Sequence, residues 1–120
     1  TAKAVNKAAL TRVLLLGTSS TLDYGIYPPY FDRYNIEAVT SEPHHQEVVA
    51  RAIMAVCDGS MNSKTKEALL EAINGYTDVQ GIVLGCTEIP LIVNQNDFEI
   101  PCFDTIEILA KASFQRCQIT

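Results

Sequence analysis

Residues 80–88, Gln-Gly-Ile-Val-Leu-Gly-Cys-Thr-Glu, contain the pattern that decides the fold. Apolar residues fill the stretch between Gly81 and Gly85, and an unbroken apolar run that ends in glycine is typical of a strand buried on both faces. Residues 12–17, Arg-Val-Leu-Leu-Leu-Gly, repeat the pattern near the start of the chain. We therefore predict buried strands at 12–17 and 80–85.

The rest of the chain alternates between strand and helix patterns. Two shorter strand candidates follow, at residues 36–40 and 100–103. Apolar residues at helical spacing predict helices at about residues 20–33, 44–57, 63–76 and 105–115. Strands separated by helices predict an α/β fold, a flavodoxin-like three-layer α/β/α unit around a short parallel sheet of about four strands.

Composition excludes several classes of protein. The 120 residues carry a net charge of −5, and 48% are hydrophobic against 19% charged, so the chain is not disordered and has room for one domain. The acidic excess argues against nucleic acid or an anionic membrane as a partner. Without an apolar run of membrane-spanning length or a signal-peptide pattern, we expect a cytoplasmic protein with reduced thiols.

The four cysteines form no Cys-x-x-Cys pair, and the chain has only two histidines. A Cys/His zinc site would need long-range assembly, so we expect no bound metal. His44 and His45 open a predicted helix, and we expect both to lie on a solvated surface.

Ligands of parallel α/β sheets bind at the carboxyl ends of the strands, which selects the loops 17–21 and 85–88. Cys86 lies at the second of these strand-to-loop turns, where we expect backbone N–H groups to favour its thiolate. Thr87 could bind a carboxylate, and Glu88 could orient a polar group or be structural. The alternative is that Cys86 is a small buried hydrophobic residue, and the residues alone leave both interpretations open.

The segment 85–91, Gly-Cys-Thr-Glu-Ile-Pro-Leu, resembles the second cysteine motif of the aspartate/glutamate racemase family. Residues 14–21, with Tyr27 beyond them, are similar to the Leu-Leu-Gly-Thr segment that opens the second half of these proteins. Residues 100–105 are similar to a later Val-Pro-Val-x-Asp-Thr stretch. The order and spacing of the motifs agree over about residues 11–112. Glu88 stands where glutamate racemases usually have His. In this respect the sequence resembles the aspartate and broad-specificity branch of the family.

The resemblance implies a racemase that uses no pyridoxal phosphate and no other cofactor. Two cysteines act on opposite faces of the α-carbon of a small, acidic amino acid, and Cys86 would be one of them. Thr87 would help to hold the α-carboxylate, and Glu88 would be a further substrate-binding residue. Thr18 and Thr21 would support that site or Cys86 itself.

Members of this family are about twice as long and consist of two similar halves. The first half brings the other cysteine in an Asn-Thr motif, which this sequence lacks. Three further cysteines lack the strand–Cys–Thr context, so we do not expect any of them to be the partner base: Cys57, Cys102 and Cys117. The sequence begins with Thr1 rather than Met, and we expect it to be processed or cut from something longer.

These departures predict the domain organisation. Residues 11–104 would form the α/β racemase half-domain, residues 1–10 would belong with the missing first half, and residues 105–120 would form a C-terminal helix and tail. The partner would be that first half or a second copy in a homodimer, and an isolated monomer would be inactive. Two alternatives are a single-cysteine decarboxylase or isomerase of the same superfamily and a non-catalytic binding module.

Overall fold

The sheet of this protein has four strands: β1 (Arg12–Leu16), β2 (Glu37–Thr40), β3 (Gly81–Leu84) and β4 (Cys102–Asp104). In the computed structural model, which describes residues 1–118, they form one sheet in the order β2-β1-β3-β4. Every pairing is parallel, and Leu14 of β1 lies opposite Val39 on one side and Ile82 on the other. The predicted α/β fold with about four parallel strands is confirmed. Residues 119 and 120 of the expected tail lie outside the described residues.

Six helices connect or flank the strands: α1 (Ala2–Lys7), α2 (Ser19–Asp23), α3 (Pro28–Asp32), α4 (Pro43–Asp58), α5 (Ser63–Asn74) and α6 (Thr105–Gln118). Two single 3-10 turns, Ile89–Leu91 and Gln95–Asp97, lie between β3 and β4. Within residues 1–118, no helix has the length and apolar character to cross a membrane.

The prediction of a single helix at about residues 20–33 is wrong, because the structure has two short helices there. Gly25 follows α2 with φ of +62°, a left-handed conformation that interrupts a helix. Pro28 then opens α3. A proline is tolerated in the first turn of a helix, where its missing N–H would have no partner, and not in the middle.

Side chains of the central strands point alternately to two faces, and each face has its own core. On one face Leu14, Ile82 and Leu84 pack with α4 and α5. On the other, Val13 and Val83 pack with the cluster that includes α1 and α3. All five are at most 1% exposed, and burial of each stabilises the fold by roughly 1.5–3 kcal/mol. Helices therefore cover both faces of β1 and β3, which completes the predicted three-layer arrangement.

The first and last helices differ in how they pack. Helix α1 places Val5, which is fully buried, in the core beside α3. Helix α6 is held at its first residue, where the Thr105 hydroxyl donates to the Leu84 carbonyl at 2.9 Å. Further along α6, Leu109 and Phe114 are 63% and 64% exposed. Helix α6 therefore presents an apolar surface to the outside.

Candidate active site

Cys86 lies just beyond the carboxyl end of β3, which is a central strand of the sheet. Its side chain is half-buried, and its Sγ accepts a hydrogen bond from the backbone N–H of Ile89 at 3.4 Å. Ile89 begins a 3-10 turn and is fully buried, so this N–H is held in place. The turn that follows Cys86 therefore places a backbone N–H against the sulfur and holds the sulfur in position.

Burial raises the pKa of the Cys86 thiol above its ordinary value. The backbone N–H groups of Ile89 and Glu88 act in the opposite direction, while the Glu88 carboxylate raises the pKa through its charge and its hydrogen bond. The expected backbone N–H groups are present and do lower the pKa, but burial and the carboxylate outweigh them, so the net shift favours the protonated thiol.

The two loops selected from the sequence lie in contact. The N–H of Gly85 donates to the carbonyl of Leu16 at 2.7 Å. A Cβ at Gly85 would approach the same oxygen to 2.7 Å and the Tyr27 ring to 3.5 Å. Gly85 therefore allows a close approach of backbones, and this approach brings the loop after β1 to the side of Cys86.

Thr18 and Thr21 organise the loop after β1. Thr18 is the N-cap of α2, and its Oγ1 accepts from the N–H of Thr21 at 3.2 Å. The two hydroxyl oxygens are 3.0 Å apart. This cap satisfies a backbone N–H at the start of α2, which is the usual role of threonine at an N-cap.

Gln46 of α4 is a residue that the sequence analysis missed. Its Nε2 donates to the carbonyl of Gly17 at 3.0 Å and so ties the first turn of α4 to the loop after β1. The only signal in the sequence is a polar residue in the first turn of the helix after β2, which by itself does not point to Gly17.

Thr87 and Glu88 follow Cys86 directly. Thr87 is exposed, whereas Glu88 is half-buried with its carboxylate beside the sulfur. The structure therefore brings Glu88 to Cys86 and leaves Thr87 at the open rim. The roles of these two residues, and of Thr18 and Thr21, in binding a substrate stay predictions.

The other three cysteines lie elsewhere. Cys102 is the first residue of β4 and pairs with Ile82, four positions before Cys86 or roughly 13 Å along a strand. Cys57 is exposed near the end of α4, and Cys117 is exposed on α6. In the described part of the chain, Cys86 is thus the cysteine at the carboxyl edge of the sheet.

Two cavities lie away from Cys86. A cavity of about 440 Å³ lies between α1 and α3, where Tyr27, Tyr30 and Tyr34 line it, and a second of about 430 Å³ lies beside Ile82 and Ile100. Cys86 lines neither of these two cavities.

The fold and the site define a class of protein: an α/β domain whose candidate acid–base group is a cysteine thiol at the carboxyl edge of a parallel sheet. Comparison with known proteins makes this specific. The chain belongs to the Asp/Glu/hydantoin racemase family, whose model matches residues 1–113. The family resemblance read from the motifs is confirmed.

Two curated proteins are similar to this chain over most of its length. An "uncharacterized protein in pnlA 3′region" of Pectobacterium carotovorum subsp. carotovorum is 37% identical over 101 residues, which is 79% of this chain and 64% of that protein. The broad specificity amino-acid racemase RacX of Bacillus subtilis (strain 168) is 27% identical over 105 residues, 85% of this chain and 45% of the racemase. The chain thus spans about half to two-thirds of the length of these relatives.

Solved structures show the same relation. A putative Asp/Glu racemase from Yersinia pestis has a TM-score of 0.84 and 34% identity, over 93% of this chain and 50% of the other. An aspartate racemase homologue from Pyrococcus horikoshii OT3 has a TM-score of 0.86 and 30% identity, over 98% and 53%. The aspartate racemase of Picrophilus torridus has a TM-score of 0.82 and 32% identity, over 96% of this chain and 48% of the racemase. The chain matches about half of each structure.

Proposed function

We propose that this chain is the C-terminal half-domain of an amino-acid racemase that works without a cofactor, with Cys86 as one of two thiol acid–base groups. The observation that carries the proposal is the half-buried Cys86 thiol, whose pKa is raised, at the carboxyl end of β3 beside the Thr18 loop. An acidic amino acid is the proposed substrate, because two of the structural relatives are described as an aspartate racemase and a homologue of one.

The thiol of Cys86 suits one half of a two-base reaction. A partner base removes the α-proton, and the C–H bonding pair stays on the α-carbon and its carboxylate. Cys86 then gives its S–H proton to the opposite face of that carbon, which inverts the centre and leaves a Cys86 thiolate. In the reverse direction the two groups exchange roles. A raised pKa favours the protonated form that the first direction needs.

Glu88 contributes to this acid–base behaviour and, in the proposal, to substrate binding. Its carboxylate stands beside the sulfur and disfavours a second negative charge there, so it keeps Cys86 protonated until the proton is transferred. Thr87, exposed at the rim, is proposed to bind the α-carboxylate. The hydroxyls of Thr18 and Thr21 are proposed to bind or support the substrate from the loop after β1.

The partner base is proposed to come from another surface. Large apolar side chains are exposed at Tyr24 (83%) and Leu91 (67%), on the segments that follow β1 and β3. Residues 11–104 are proposed to form the half-domain itself. The outer face of α1, within residues 1–10, and α6, within residues 105–120, are proposed to contact the first half of the protein or a second copy. A monomer of this chain alone is then inactive.

The test is racemisation of L-aspartate by the complete product of the encoding gene, followed by chiral chromatography. Cys86→Ala should lower the rate by about 10²–10⁴-fold, the usual contribution of a positioned acid–base group. Cys102→Ala is the matched control, because it also removes a half-buried thiol from the sheet, and it should keep the rate. Normal racemisation by Cys86→Ala would overturn the proposal.

Product analysis separates the rival functions. Release of CO₂ from a malonate-type substrate without interconversion of aspartate enantiomers would indicate a single-cysteine decarboxylase. Binding of amino acids with no turnover of any kind would indicate a binding module. The isolated 120-residue chain, assayed at concentrations where it is monomeric, should be inactive. A rate that rises with the square of its concentration would indicate that a second copy supplies the base.

A further inference from the structure

Three metal-ligating side chains converge where β2 leads into α4. Glu42 is the N-cap of α4, and His44 and His45 lie in its first turn. One carboxylate oxygen and two imidazole nitrogens from these residues all lie within 4.8 Å of one another. They follow β2, which is separated from β3 by β1, so the cluster lies at the same carboxyl edge of the sheet as Cys86 but two strands away from it.

The separations are close to those of a metal centre. A tetrahedral ion with bonds of about 2.0–2.2 Å holds its ligand atoms about 3.3–3.6 Å apart. Nδ1 of His44 lies 3.7 Å from Oε2 of Glu42, and the ligand atoms of all three residues lie within 4.8 Å of one another. Rotation of the exposed Glu42 and His44 side chains would bring the ligand atoms around one ion near His45.

Tyr76 holds two of the three residues in place. Its hydroxyl lies 2.8 Å from Nδ1 of His45 and accepts the backbone N–H of Glu42 at 2.7 Å. His45 is half-buried through this contact, so the expectation that both histidines are solvated is wrong for His45. Because Nδ1 is bonded to the phenol, Nε2 is the nitrogen that faces a metal. Outer partners of this kind orient the imidazole ligands of metal sites.

The donor set selects the type of ion. Two imidazoles with one carboxylate suit Zn²⁺ and neighbouring divalent transition metals, whereas Mg²⁺ and Ca²⁺ prefer oxygen ligands throughout. Three protein ligands leave at least one coordination position for water. The positive end of the α4 dipole disfavours a cation at this place. The negative charge of Glu42 and the net charge of −5 on the chain act in the opposite direction and favour a cation.

We propose that Glu42, His44 and His45 form a binding site for one Zn²⁺ or similar divalent transition-metal ion. The proposal departs from the expectation of no bound metal, which was based on Cys/His zinc sites, because this site uses no cysteine. It does not depend on the racemase chemistry, because none of its ligands belongs to the Cys86 site.

The test is titration of the metal-free protein with ZnCl₂ in a calorimeter, with CoCl₂ as a spectroscopic probe. We expect one Zn²⁺ per chain and visible Co²⁺ bands of nitrogen and oxygen ligands. His44→Ala should weaken binding at least tenfold, and because His44 is exposed the variant should fold, which circular dichroism checks. Glu42→Gln should weaken binding in the same direction.

Glu47→Gln is the matched control, because Glu47 is an exposed carboxylate one turn further along α4. It should bind Zn²⁺ like the wild type. Equal affinity of His44→Ala and the wild type would overturn the proposal. So would an intense near-ultraviolet band of thiolate bound to Co²⁺, since that would place the ion on a cysteine.

Discussion

Two thiols on neighbouring strands, at the end of β3 and the start of β4, share their burial and differ in their surroundings. Cys86 and Cys102 are both half-buried and packed against the same core. Burial raises both pKa values, and the charges of Asp104 and Asp97 help to raise that of Cys102 to about 11. Cys86 alone of the two has N–H groups that lower its pKa, from Ile89 and Glu88. The backbone N–H groups at the strand end offset part of the effect of burial at Cys86, and this difference is why the proposed acid–base role is assigned to Cys86.

The largest expected effect is on catalysis. Cys86→Ser in the complete gene product should lower racemisation by about 10²–10⁴-fold, because a serine hydroxyl is a far weaker acid in nearly the same place. Cys102→Ser should keep the wild-type rate, which initial-rate assays with L-aspartate measure. Similar losses in both variants would mean that the two thiols do not differ as described.

A smaller effect concerns the close approach that positions Cys86. Gly85→Ala would place a Cβ 2.7 Å from the Leu16 carbonyl and should lower the free energy of unfolding by about 1–3 kcal/mol. Gly17→Ala is the matched control in the facing loop, where the nearest atom would be at 3.6 Å. Urea unfolding of both variants measures the difference, and equal stabilities would show that the loops are not in contact.

The smallest effect is a pH dependence of stability at Cys102. Its pKa is raised in the folded state from an ordinary 9.0 to about 11, so the unfolded chain loses the proton first as the pH rises. The resulting stability is complete below pH 9 and falls between about pH 9 and 11. Because the thiol is only half-buried, we expect an effect of the order of 1 kcal/mol. Cys102→Ser should flatten this part of the curve, and Cys86 contributes with the same sign. An unchanged slope in Cys102→Ser would contradict the described surroundings of its sulfur.

The strands and loops could be predicted from the sequence because they depend on local patterns. The apolar runs at 12–17 and 80–85 correspond to β1 and β3 to within a residue at each end. The rule that ligands bind at the carboxyl ends of strands then selected the two loops 17–21 and 85–88 as one candidate site. The structure shows that these loops are in contact.

Contacts between distant residues could not be predicted in this way. Gln46 and Gly17 are 29 positions apart, and His45 and Tyr76 are 31 apart, so no local pattern reveals either hydrogen bond. The net shift in the pKa of Cys86 could not be predicted for a related reason. Backbone N–H groups can be expected from a turn, but burial depends on how the whole chain packs around the sulfur.

The most direct test of the account is racemisation of L-aspartate in D₂O by the complete gene product, with mass analysis of each enantiomer during the first turnovers. If Cys86 and a second base act on opposite faces, the D-aspartate formed carries deuterium at its α-carbon while the remaining L-aspartate keeps its hydrogen. Cys86→Ser should abolish formation of the deuterated product. Transfer of the original hydrogen into D-aspartate, or deuterated product formed normally by Cys86→Ser, would contradict the role assigned to Cys86.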